Sequence, residues 1–96
     1  MIKHVIVIKF KPDASEEDKK LFEEMLGSLP SVIPEIKGFL FGRDVVKSER
    51  SYDFALVSDF EDLGALERYR VHPEHVKVLQ HVRSIAEQII AVDFEF

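Results

Sequence analysis

The chain of 96 residues contains no cysteine. Disulfides and thiolate metal centres are therefore excluded, which agrees with a reducing compartment, and a cytoplasmic location is expected. It has no basic run and a net charge of −5, so a nucleic-acid surface built on phosphate neutralisation is not expected. No apolar stretch approaches the roughly 20 residues of a membrane span. Met1 to Phe10 alternates in polarity around Lys3 and Lys9, unlike a signal-peptide core. The four glycines, Gly27, Gly38, Gly42 and Gly64, are too scattered to cradle a phosphate. No serine stands in a nucleophile elbow, and with cysteine absent covalent acyl chemistry has no candidate.

What is present reads as one domain over residues 1–96, with an ordinary 46% of hydrophobic and 32% of charged residues. A core of this size is only marginally stable alone. Met1 to Lys11, rich in Ile and Val, reads as a strand. Ser15 and Asp18 form a variant capping box that opens a helix, in which Leu21, Phe22, Met25, Leu26 and Leu29 recur at helical spacing until Gly27 and Pro30 end it. Ile36 to Val46 and Tyr52 to Phe60 read as a hairpin around the polar segment 47–51. Asp62 caps a short helix carrying Leu63, Leu66 and Tyr69. His72-Pro73 ends that helix and starts another, running to about Gln88. Ile89 to Phe96 closes the chain as a strand. The order is βαββαβ with a split second helix: an α+β fold in which one four-stranded antiparallel sheet carries helices on one face.

A sheet covered on one side should alternate apolar with polar residues. In the first strand Ile2, Ile6, Ile8 and Phe10 take one face, yet Val5 and Val7 take the other. Both faces avoid water, so the second should pack on another sheet. The chain has none to spare, and a homodimer through the sheet face is expected.

Chemistry points to Tyr69-Arg-Val-His72-Pro-Glu-His75, which gathers a phenol and two imidazoles within seven residues. Imidazole is the side chain that exchanges a proton near neutrality. His75, Leu79, Val82 and Ala86 share one side of their helix, so His75 points toward the sheet from its first turn. The positive end of the helix dipole there favours the neutral ring that a general base requires. His81 falls among the polar residues and receives no role. Tyr69 lies on the buried side of its helix, where His75 is a geometric candidate for its hydrogen-bond partner. His4 shares the parity of Ile2, Ile6 and Ile8 and enters the same cavity if that face meets the helices. The expected pocket is walled by Ile6, Ile8, Phe22, Met25 and Leu79, and it suits a small, mostly apolar ligand. His72 is assigned a contact at the helix start or pocket edge. His72, Glu74 and His75 straddle a helix start, and no further ligand stands at a recognisable spacing, so no metal is expected.

Lys3-His4-Val5-Ile6-Val7-Ile8-Lys9-Phe10-Lys11, Tyr69-Arg-Val-His72-Pro73-Glu-His75-Val76 and Val92-Asp93-Phe94 together resemble the stress-responsive α/β-barrel (Dabb) domain across nearly the whole chain. The resemblance implies a ferredoxin-like fold and a dimeric α/β barrel, in a family with many members of no assigned activity. It also implies a link to plant polyketide cyclases, which close a ring by a cofactor-free aldol reaction. Matched to their motif, Tyr69 and His75 would be the catalytic pair, and His4 would line the cavity. His75 would remove a proton alpha to a carbonyl while Tyr69 donates to the oxygen where charge develops. Asp93 is a candidate orienter of His75, though periodicity leaves its face open. Two functions follow: a homodimeric ligand-binding domain without cofactor, or a cofactor-free cyclase, lyase or isomerase. A monooxygenase of the wider dimeric-barrel group would want a tryptophan, and the chain has none.

Overall fold

The computed structural model describes all residues 1–96. Its elements are β1 (Ile2–Phe10), α1 (Glu16–Val32), β2 (Gly38–Arg43), β3 (Phe54–Phe60), α2 (Leu63–Val71), α3 (Pro73–Ile85) and β4 (Ala86–Glu95). The strands form one antiparallel sheet in the order β2-β3-β1-β4. This is the expected ferredoxin-like order with its split second helix.

Ile2, His4, Ile8 and Phe10 are buried on one face of β1, and Phe54, Leu56, Ser58 and Phe60 of β3 lie opposite them or their neighbours. Phe22, Leu26 and Leu29 of α1, Leu66 and Tyr69 of α2, and Val78, Val82 and Ile85 of α3 complete the core. Leu21 and Leu63, assigned to the buried sides of their helices, are instead 46% and 64% exposed. Leu63 is the first residue of α2, next to the Asp62 cap whose carboxylate accepts from the Ala65 N–H.

Three boundaries differ from expectation. Helix α1 does not stop at Gly27 and Pro30 but continues to Val32. An interior proline costs about 3 kcal/mol. Here it stands in the last turn, and the flanking Leu29 and Ile33 are 1% and 0% exposed. Burying two such side chains, at about 2 kcal/mol each, offsets the lost bond. The hairpin strands are shorter than expected: their pairing runs from Gly38 opposite Asp59 to Arg43 opposite Phe54, next to Asp53. The Asp53 N–H donates to the Ile8 carbonyl and its carboxylate accepts from the Phe10 N–H. Helix α3 ends at Ile85 rather than near Gln88, since pairing with β1 captures the chain from Ala86 onward.

The register fixes the opposite sheet face. His4 stands opposite Asp93, so Asp93 faces the helices. Val92 pairs with Val5, Ile90 with Val7 and Phe94 with Lys3, so these side chains face away. Leu40, Val92 and Phe94 are 74%, 63% and 48% exposed there. An uncovered apolar sheet face is what the alternation in β1 anticipates. No helix is long and apolar enough to cross a membrane.

Candidate functional site

Between the sheet and the helices lies a cavity of about 610 Å³, a size ordinary for a small-molecule site. Ile6 and Ile8 of β1, Leu56 of β3, and Ile89 and Ala91 of β4 form its floor. Phe22 and Leu26 of α1 and Val78, Leu79 and Val82 of α3 form its walls. His4, Tyr69, Arg70, His75, Arg83 and Asp93 contribute the polar tips.

Each tip is held by a local device. His75 is the third residue of α3, a helix started by Pro73 and capped by His72. Its Nδ1 lies 3.0 Å from the Arg70 carbonyl. A carbonyl only accepts, so Nδ1 carries the hydrogen and Nε2 of the neutral ring keeps its lone pair. Burial lowers the His75 pKa below its usual 6.5, with only partial opposition from the Arg70 bond. The neutral form is thereby favoured, but the leading cause is desolvation rather than the helix dipole.

The Tyr69 ring packs on His75 at 4.4 Å between centroids, tilted by 47°. It also packs on Phe60 at 4.8 Å. The expected hydrogen bond from Tyr69 to His75 does not form: the rings meet on their faces. The hydroxyl has no protein partner, and Tyr69, although only 1% exposed, lines the cavity. Desolvation raises its pKa well above the ordinary phenol value, so it remains a donor.

His4 is buried, 6.1 Å from the Tyr69 ring centroid. Its Nδ1 bonds to Asp93 Oδ1. This corrects the role expected for Asp93, which orients His4 and not His75. The register places it directly across from His4 on the adjacent strand.

Two expected pocket residues lie elsewhere. His72 turns its Nδ1 back to accept from the Glu74 N–H at 3.1 Å, capping α3. Met25 is half-buried against the core and does not line the cavity, since on α1 the inward side belongs to Phe22, Leu26 and Leu29. His81, given no role, ties α3 to α1 by donating from Nε2 to the Asp18 carbonyl at 2.9 Å. Sequence reasoning missed Leu56, Ile89 and Ala91, which only strand register could supply. It also missed Arg83, although Arg83 follows His75 and Leu79 at four-residue spacing. No group of three or more His, Asp or Glu side chains converges as a metal site.

Fold and cavity together define a class: α+β proteins that enclose a ligand-sized hollow between a four-stranded sheet and its helices, with an uncovered apolar face behind. Within that class the chain belongs to the Dabb family, the stress responsive A/B barrel domain, whose profile matches residues 2–96. It is 32% identical over 95 residues to olivetolic acid cyclase of Cannabis sativa, covering 97% of this chain and 94% of that protein. Among solved structures it is similar to a dimeric ferredoxin-like protein of unknown function from Bacteroides fragilis. The identity is 30% and the TM-score 0.87, with 99% of this chain and 95% of the other covered. A second, also dimeric and of unknown function, comes from Thermobifida fusca: 27% identity, TM-score 0.91, coverage 99% and 90%.

Proposed function

We propose that residues 1–96 form one cytoplasmic domain that acts as a homodimer, joined through the apolar sheet face, and that its cavity receives a small, mostly apolar ligand. The 610 Å³ hollow carries this reading. Its walls are aliphatic and aromatic, interrupted by a few polar groups, as in small-molecule sites generally. The dimeric relatives and the exposed Leu40, Val92 and Phe94 support the assembly.

A second reading is favoured by the state of two side chains. His75 is held neutral with its Nδ1 hydrogen engaged, and Tyr69 offers an unclaimed hydroxyl beside it. That pairing suits cofactor-free enolisation. His75 Nε2 takes a proton alpha to a carbonyl while Tyr69 donates to the oxygen as it becomes an enolate. Reprotonation elsewhere makes an isomerase, and attack of the enolate on a second carbonyl makes an aldol cyclase. The likeness to olivetolic acid cyclase supports chemistry of this type.

Both readings are tested with undecan-2-one in D₂O. Ligand binding is expected to shift the NMR signals of Ile6, Leu79 and His75. Enolisation is expected to exchange the ketone's α-hydrogens for deuterium in wild type and not in His75→Ala. Signal shifts without exchange would leave the binding domain and remove the enzyme. No shift at all would remove both.

A further inference from the structure

The cavity is not uniform in charge. Its polar lining includes two arginines against one carboxylate, Asp93, and that carboxylate is already bonded to His4. In a chain of net charge −5 this is a local inversion. Arg70 keeps a loose, exposed contact with Glu67 at 3.5 Å. Arg83 takes part in none of the ion pairs of the structure. It is exposed on α3 while its side chain lines the cavity.

The position of Arg83 along the helix adds a length. His75, Leu79 and Arg83 succeed one another at four-residue spacing, and all three line the hollow. At a rise of 1.5 Å per residue, His75 and Arg83 stand about 12 Å apart along the axis. Leu79 lies between them, with Ile8 and Ile89 on the floor. One wall thus carries a proton-handling group at one end, an apolar middle and an unpaired guanidinium at the other. A guanidinium binds carboxylates with paired N–H donors.

We propose that the cavity selects an elongated organic acid: the chain lies along Leu79, and the carboxylate is held by Arg83 at the end away from His75. This rests on the reading that the hollow binds an apolar ligand, and it adds the ligand's charge and polarity of entry. Arg83 is the main specificity-determining residue, ahead of Arg70 at the His75 end.

Calorimetric titration of the full chain with decanoate and with methyl decanoate tests the proposal. Wild type is expected to prefer the acid by about tenfold or more, the scale of one charge-assisted contact. Arg83→Gln is expected to erase that preference without weakening the ester. Arg83→Lys should restore part of it, and Arg70→Gln should lower it less than Arg83→Gln does. Because Arg83 is exposed and unpaired, these substitutions spare the fold, which circular dichroism checks. Equal binding of acid and ester by wild type, or a preference surviving Arg83→Gln, would overturn the proposal while leaving the cavity as a binding site. Failure of both compounds to bind wild type would overturn the proposal together with the ligand reading it rests on.

Discussion

The Nδ1 of His75 donates to the backbone carbonyl of Arg70 at 3.0 Å, across the junction of α2 and α3. This bond spans five residues and depends on the sharp turn that Pro73 and the His72 cap impose. It sets the tautomer of a ring that lines the cavity, and so decides which nitrogen is free to accept a proton.

Nitrogen-15 NMR of the imidazoles should therefore show His75 as the Nδ1–H tautomer at neutral pH, with a midpoint below 6.5. An Nε2–H tautomer would contradict the proposed role of His75 as a base.

The same shift has a consequence for stability. The unfolded chain binds the His75 proton more tightly than the folded one. The neutral ring therefore contributes stability that is complete above about pH 6.5 and is lost as pH falls through the lower folded value. Thermal unfolding followed between about pH 8 and pH 5 should show a decline in wild type that is shallower in His75→Gln.

Tyr69→Phe removes a hydroxyl that bonds to no protein group, so the unfolding free energy should change by less than about 0.5 kcal/mol. His75→Ala loses ring packing on Tyr69 and a backbone bond, and should cost about 1 kcal/mol or more in denaturant titration. A large loss in Tyr69→Phe would mean the phenol is structural.

Asp93→Asn separates the two histidines. Asp93 contacts His4 and is 39% exposed, so the cost should be only about 0.5 to 1 kcal/mol. The His4 ring signals should move, while His75, whose Nδ1 is held by the Arg70 carbonyl, keeps its Nδ1–H tautomer. Loss of that tautomer would restore Asp93 as its orienter.

Placing charge on the outer sheet face should dissolve the proposed dimer. Leu40→Lys with Val92→Lys puts two ammonium groups where apolar side chains stand exposed. Light scattering should give the mass of one chain for this variant and of two for wild type.

Much of this was legible beforehand. Period-two and period-3.6 patterns gave every element, and the caps at Ser15 and Asp62 and the proline at Pro73 marked three helix starts; in the structure Ser15, Asp62 and His72 each accept a backbone N–H there. Element ends were harder. Pro30 is a strong local stop, but Leu29 and Ile33 anchor the turn around it in the core. Residues 86–88 carry no strong strand preference, and it is pairing with Lys9 and Phe10 that makes them a strand. Tyr69 and His75 were legible as neighbours because a short turn joins their helices.

Sequence by itself determined the order of the elements and which side chains of each share a face, since alternation and helical pitch are properties of a local backbone. It also placed an imidazole in the first turn of a helix. Only the tertiary structure decided who meets whom across the sheet. His4 and Asp93 are 89 residues apart, and they touch because antiparallel pairing sets them opposite one another. A strand's period states that residues lie on one face but not which partner stands beside them, and a slip of one residue would have turned Asp93 away from the cavity.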